Sequence, residues 1–313
     1  MRLKNKAIAV TGATGFLGRY IVDALLKRGA HVIGVVRNPA RVPELAQRGV
    51  ELRKADLVDR AALARGFAGV DAVVSNAALF SIRRLASLSR RNWDDHQRTN
   101  IQGTQNVFDA IRKAHVKRVV QVSSVAVYRG NSGVIGEDHP QLNADDRPNP
   151  ITAYAISKAL SEQLAWKLAA ERELELTTVR PCGIYGAFDP NFMVVLKWLL
   201  RWPVTVVPAW LNLPFVYAGD VAEAIALALE EPIAIGKAYN VTGDEHTFWE
   251  FAEAWKEAGG AAPWVMLPVP VPFSQSFDHS RATRELGWHN RPYVEGLRET
   301  LELEGRERGR GAA

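Results

Sequence analysis

Across its first 180 residues the chain alternates short apolar runs with amphipathic stretches, a pattern that few architectures accommodate. Six runs read as strands, at residues 6–10, 31–36, 50–54, 71–74, 117–122 and 175–180, and each gap holds one crossover helix. Helix starts are read near Gly15, Arg41, Asp59, Asn92 and Ile151. Several of the runs have no polar face, as expected of parallel strands covered by helices on both sides. The pattern predicts an α/β protein with a doubly wound parallel sheet in residues 1–180, to which some later segments return.

After Pro181 the texture changes. Trp198, Trp202, Pro203, Pro208, Trp210 and Pro214 interrupt the alternation, and helices are read again only at about 219–230 and 247–257. Residues 181–313 are therefore expected to form a smaller region over the strand ends, where open α/β sheets bind ligands.

Composition narrows the classes. The chain is 47% hydrophobic and 23% charged. It has no apolar run long enough to span a bilayer, and its opening residues lack a signal-peptide pattern. A cytoplasmic protein without a membrane partner is expected. The single cysteine, Cys182, excludes an internal disulfide and a cysteine-based zinc site, and is read as a packing residue. The seven histidines show no metal-ligand spacing, so no metal is expected. The net charge of +5 is modest, with several arginines in the tail at 306–310, and no basic stripe or nucleic-acid module accompanies it. The expected partner is a small molecule.

The first strand leads into Val10-Thr11-Gly12-Ala13-Thr14-Gly15-Phe16-Leu17-Gly18. Glycines at 12, 15 and 18 allow a tight turn, close backbone approach to a pyrophosphate, and close packing of the next helix, whose N-terminus attracts the anion. The strand–turn–helix context identifies a Rossmann-type dinucleotide site. The second strand ends at Arg37, where an NAD enzyme has an acidic residue for the ribose. An arginine there suits a 2′-phosphate, which favours NADP(H) over NAD(H). Asp56, after the third strand, is placed to meet the adenine amino group, although Asp also caps helices and Asp59 lies nearby.

Tyr154 and Lys158 stand four residues apart, on one face of a helix. A phenol titrates near 10, and a neighbouring ammonium, with an oxidised nicotinamide close by, favours the phenolate, which is what an acid/base at neutral pH needs. A hydroxyl after the fifth strand would hold the substrate oxygen, and of Ser123 and Ser124 the second is chosen.

Together these motifs resemble the extended short-chain dehydrogenase/reductase superfamily, also called the NAD-dependent epimerase/dehydratase family. The matching pieces run nearly the full length: the glycine turn, Asp56-Leu57, Asn76-Ala77-Ala78, Thr99 to Thr104, Val122 to Tyr128, Tyr154 to Lys158, and Arg180 to Gly186. Phe215-Val216-Tyr217, Asp220-Val221-Ala222, Tyr239 to Gly243 and Leu286-Gly287-Trp288 complete them. The resemblance implies that Tyr154 is the acid/base, that Lys158 also grips the nicotinamide ribose, and that Ser124 orients the reacting carbonyl or alcohol. It implies a cofactor site lined by Gly12, Thr14, Gly15, Phe16, Leu17, Arg37, Asp56, Leu57, Asn100, Val122, Tyr154 and Lys158. Ala77 and Ala78 would let backbone approach the cofactor, and Pro181, Gly183 and Ile184 would lie near the carboxamide. The helices beginning near Asn92 and Ile151 imply a homodimer, since many relatives pair through them.

Three departures choose a branch. Val125-Ala126 stand where sugar-nucleotide dehydratases of the family carry an Asp-Glu pair, which argues against dehydration. Leu213 stands where epimerases commonly have a diphosphate-binding arginine, though Arg201, Arg281 or Arg284 could substitute. Gly183-Ile184-Tyr185-Gly186 and the apolar residues Phe192 to Trp198 are similar to hydroxysteroid dehydrogenases and dihydroflavonol-reductase-like enzymes. A lobe with Trp198, Trp202, Trp210, Phe192 and Met193 suits an apolar substrate, unless these side chains simply pack a core. The expected activity is hydride transfer between nicotinamide and a ketone or secondary alcohol of a largely apolar substrate. The alternatives are a nucleotide-sugar epimerase with tightly bound NAD(P), and a non-catalytic NADP(H) sensor, which the intact Tyr-Lys pair argues against.

Overall fold

The computed structural model describes residues 1–80, 90–130, 133–149, 152–212, 214–271 and 273–311. Seven strands form its central sheet: β1 Ala7–Thr11, β2 His31–Val36, β3 Glu51–Lys54, β4 Ala72–Ser75, β5 Arg118–Val122, β6 Glu175–Pro181 and β7 Ala238–Val241. All are parallel, in the order β7-β6-β5-β4-β1-β2-β3. The direction of winding reverses between β1 and β4, so the crevice that receives a ligand opens at their carboxyl ends. The six runs expected as strands are strands, within a residue or two at their ends. β7 carries one of the family-like landmarks but was not read as a strand.

The strands are apolar throughout because both faces are covered. Alternate residues serve different cores: Ile8, Val10, Val32 and Val74 enter one, while Ala9, Ile33, Val35 and Val73 enter the other. Each of the valine and isoleucine side chains contributes roughly 1.5–3 kcal/mol on leaving water. On the first face lie the helices Phe16–Lys27 and Ala218–Glu230, which bury Ile21, Leu25, Val221 and Ile225. On the second lie Arg60–Gly66, Gly103–Lys113 and Ala153–Glu171.

Local chemistry sets the helix starts. Asp59 caps Arg60–Gly66 by accepting from the Ala62 N–H at 2.9 Å. Thr247 and Glu250 form a reciprocal capping box at Phe248–Glu257, so Thr247 is the cap rather than the first helical residue. The helix expected near Arg41 is split into a 3₁₀ turn, Pro39–Arg41, and a short helix, Pro43–Gln47. The start near Ile151 lies outside the described residues, and the helix is described from Ala153.

Beyond β6 the chain builds a lobe. Helix Phe192–Leu200 precedes strand Val204–Pro208, which pairs in parallel with Val265–Val269, a segment that follows β7. Helix Tyr293–Gly311 closes the described chain. Among the described residues no helix is long and apolar enough to cross a membrane.

Candidate active site

The glycine turn has the geometry its spacing predicts. Gly12 lies at φ +68°, and a Cβ there would sit 3.0 Å from the Ala77 Cα. At Gly18 a Cβ would sit 2.0 Å from the Gly12 carbonyl oxygen. The helix therefore starts hard against the turn. Gly15 is its N-cap, no side chain caps it, and its first turn holds no acid. Among the described residues its first N–H groups and positive dipole end thus have no side-chain acceptor, which is what an anionic pyrophosphate requires. Thr11 ties β4 to the turn, its Oγ1 accepting from the Asn76 and Ala77 N–H groups at 3.1 Å each. Thr14 and Gly15 are exposed at the crevice, Phe16 is half-buried, and Leu17 is buried against the first core. These residues fit a dinucleotide diphosphate.

Arg37 is exposed at the end of β2. Asp56 turns back to accept from the Val58 N–H at 3.2 Å, and because Asp59 is the helix cap, capping does not account for Asp56. The Leu57 carbonyl accepts from Asn106, and the Leu57 side chain lies against Gly103.

Tyr154 and Lys158 lie in the first two turns of Ala153–Glu171. The Ser124 hydroxyl lies close enough to the Tyr154 phenol to draw its pKa down. Ser124 is itself fixed, its Oγ accepting from the Ala126 N–H at 3.1 Å and capping a 3₁₀ turn at Val125–Val127. Both serines are buried, Ser123 the more deeply. The buried Lys158 Nζ donates to the Val122 carbonyl at 2.8 Å. Burial pulls Lys158 down to about 8, against the nearby Glu162 carboxylate. Burial pushes Tyr154 up to about 12, with Ser124 drawing it back, and one donor of the Lys158 ammonium goes to the Val122 carbonyl.

Asn100 lies in a π-helical segment, Gln97–Gln102, between helices Arg90–His96 and Gly103–Lys113. The wider coil turns Asn100 inward: its Nδ2 donates to Ser157 Oγ at 2.9 Å and its Oδ1 accepts from the Leu79 N–H at 2.7 Å. Two residues at the site went unnoticed in the sequence. The Phe80 ring centroid is 4.7 Å from that of Tyr154, and the His96 centroid is 6.0 Å away. The spacing of His96 four residues before Asn100 was the available signal; Phe80 gave none.

Glu162, two turns beyond Tyr154, is fully buried and gripped by Arg180, whose Nε donates to both carboxylate oxygens at 3.0 and 3.1 Å. Burial pushes Glu162 up, but the guanidinium outweighs it and holds the carboxyl below its usual range. Arg180 Nη1 also donates to the Tyr128 hydroxyl at 2.7 Å and the Glu137 carbonyl at 2.8 Å. This clamp fixes the Tyr-Lys helix to β6, whose end carries Pro181. Gly183 and Ile184 follow, with the Gly183 carbonyl accepting from Val216 and Phe215 packed against the Gly183 Cα. Ala78 is exposed at the crevice beside Ala77. Burial pushes the Cys182 thiol up to about 12, which leaves it a poor nucleophile.

Leu213 lies outside the described residues. Of the arginines able to replace an epimerase arginine there, Arg281 bonds Asp138 at 2.8 Å, Arg284 bonds Ser280 at 2.6 Å, and Arg201 lies over the Trp202 ring. The expected aromatic lining is divided. Met193 is buried and Phe192 stacks on Phe215 at 3.9 Å, as core, whereas Trp198, Trp202 and Trp210 stand about half exposed on the surface. Among the described residues no cluster of metal-ligating side chains occurs.

A winding reversal, an uncapped glycine-rich helix start and a Ser-Tyr-Lys group at the same sheet edge define an NAD(P)-binding dehydrogenase-type site. The NAD dependent epimerase/dehydratase family model matches residues 8–242, and the chain belongs to that family. It is 32% identical over 263 residues to sterol demethylase protein B of Methylococcus capsulatus, covering 83% of this chain and 76% of that one. It is 31% identical over 258 residues to cinnamoyl-CoA reductase 2 of Arabidopsis thaliana, covering 76% and 73%. In fold it is similar to a UDP-glucose-4-epimerase from Stenotrophomonas maltophila solved with bound NAD, with a TM-score of 0.81, 23% identity, and 98% and 100% of the two chains covered. The protein is an NAD(P)-dependent enzyme of the extended short-chain dehydrogenase/reductase superfamily.

Proposed function

We propose that the protein is an NADP(H)-dependent oxidoreductase acting on a ketone or secondary alcohol of a largely apolar substrate. The observation that carries this reading is the placement of the Ser124 hydroxyl beside the Tyr154 phenol, one helical turn from the buried Lys158. When bound, the nicotinamide supplies the hydride or takes it up. The glycine turn would hold the diphosphate, and Lys158 the nicotinamide ribose. Ser124 would hold the substrate oxygen by hydrogen bonding, and Tyr154 would give its hydroxyl proton to that oxygen during reduction or take it back during oxidation. Phe80, beside the Tyr154 ring, offers an apolar wall to the substrate. Support for an apolar substrate over a diphosphate sugar comes from the arginines, since Arg281 and Arg284 are already bonded elsewhere. Support for NADP(H) comes from Arg37 at the end of β2, the position that faces a 2′-phosphate in this class of site.

Reduced-cofactor absorbance, followed with NADPH and with NADH against panels of apolar ketones and nucleotide sugars, tests the proposal. Ketone-dependent oxidation of NADPH is expected, with NADH poorer. Arg37→Ser should weaken NADPH binding about tenfold and leave NADH nearly unchanged. Tyr154→Phe should lower kcat by roughly 10²–10⁴. Inversion of a sugar without net cofactor consumption would replace this reading with an epimerase.

A further inference from the structure

We infer that the lobe's two-stranded ladder is a docking face for the surface of a bilayer that contains anionic lipid. In strand Val204–Pro208 the inward residues Thr205 and Val207 are buried, and the outward Val204 and Val206 are exposed. Across the ladder Val204 pairs with Val265 and Val206 with Leu267. Directly paired residues point the same way. The outward face is therefore an unbroken apolar surface of Val204, Val206, Val265 and Leu267, extended by Val269, and all five are exposed. A half-buried sheet normally turns polar side chains to water. This one does not, although nothing else among the described residues covers it.

Three features select a lipid surface. Tryptophans rim the face: Trp202 and Trp264 adjoin one end, where the Trp264 N–H donates to the Pro203 carbonyl, and Trp210 follows the other. Trp264 is 89% exposed. Amphipathic indoles are favoured at the headgroup level of a membrane. The two strands and their flanking turns also carry little charge, and that charge is positive. Residues 198–212 and 258–277 contain no Asp or Glu, and their one cation, Arg201, lies with its Cζ 4.9 Å from the Trp202 centroid. A phosphate-bearing surface supplies the missing anion. A second copy of the chain, packed face to face, would bring another Arg201 and no carboxylate. Finally, the outward side chains at the paired positions 204/265 and 206/267 are all aliphatic, which suits lipid better than a peptide that needs hydrogen-bonding anchors. Such contact is peripheral, since no described helix can span a bilayer. It rests on the surface alone and is independent of the substrate reading.

The test is sedimentation of the purified full chain with vesicles of phosphatidylcholine containing phosphatidylglycerol, and with vesicles of phosphatidylcholine alone. Tryptophan emission and its quenching by brominated lipid are read in parallel. Binding to the anionic vesicles is expected, with a blue shift and quenching. The double variant Trp264→Ser, Leu267→Ser should lose roughly tenfold or more in affinity. Arg201→Ala should lose about fivefold on anionic vesicles and little on neutral ones. Circular dichroism and thermal melts confirm that the variants remain folded, as exposed positions should. The inference is overturned by no binding to either vesicle, or by equal binding of folded wild type and double variant. It is also overturned if sizing without lipid shows a dimer that the double variant abolishes, since the face would then join two copies.

Discussion

Lys158 is held where its charge is costly. Its ammonium is buried, with the Val122 carbonyl as hydrogen-bond acceptor and Glu162 one turn away as the balancing charge. Its folded pKa is lowered from 10.5 to about 8. Below about 8 the lysine is charged in both folded and unfolded chains, and the burial penalty is felt in full. Between 8 and 10.5 the unfolded chain binds more protons, so the stability of the cofactor-free protein rises with pH through that window. Lys158→Met should therefore be more stable than wild type at pH 7, by up to ~3 kcal/mol, while losing activity. Denaturant melts of both proteins from pH 7 to 10 should show the gap narrowing, and the difference cancels the titration of the buried tyrosines. A constant gap would mean that Lys158 bears no such penalty. The sequence made Tyr154 and Lys158 legible as a pair, because helical spacing puts them on one face. It did not reveal which groups they answer to: the Val122 carbonyl and the Phe80 ring come from distant segments, and only the fold brings them close.

At the level of elements, the glycine turn and the helix it launches are one object. Gly18→Ala would force a Cβ to 2.0 Å from the Gly12 oxygen and 2.9 Å from the Ala13 Cα, all backbone with little room to yield. The expected outcome is a loss of about 1–3 kcal/mol in a melt and at least tenfold weaker NADPH binding by fluorescence titration. Gly305, in Tyr293–Gly311, has nothing within 4 Å of its would-be Cβ. Gly305→Ala should stabilise the helix by about 1 kcal/mol and leave binding unchanged. The six early strands were readable because both faces are buried and the runs are almost wholly apolar. β7 was not, since Ala238-Tyr239-Asn240-Val241 places a buried Asn240 in mid-strand, satisfied only by Tyr128, Ile135, Asp278 and Glu137 from elsewhere. The lobe strands were hidden by Pro203, Pro208 and Pro268, residues that ordinarily mark the end of a strand.

For the whole molecule, the C-terminal helix is a structural part of the core. Tyr293 and Leu297 are buried in it, and Arg291 holds Asp220 through Nε at 2.6 Å and its N–H at 2.9 Å. Trp288, also buried, donates to the Asp220 carbonyl at 2.8 Å. A chain stopped after Asn290 should fail to give a cooperative melt, whereas one stopped after Arg306 should melt within about 2 °C of the full chain. The same threading bears on synthesis. Strand Val204–Pro208 leaves the ribosome well before its partner Val265–Val269, and helix Ala218–Glu230, β7 and helix Phe248–Glu257 are all made in the interval. Throughout that wait an apolar strand has no mate, and it is the stretch of the nascent chain with most to offer a chaperone or a neighbouring copy. Pro203 and Pro208, which hid the strand from a reader of the sequence, then act as guards at its two ends against mispairing.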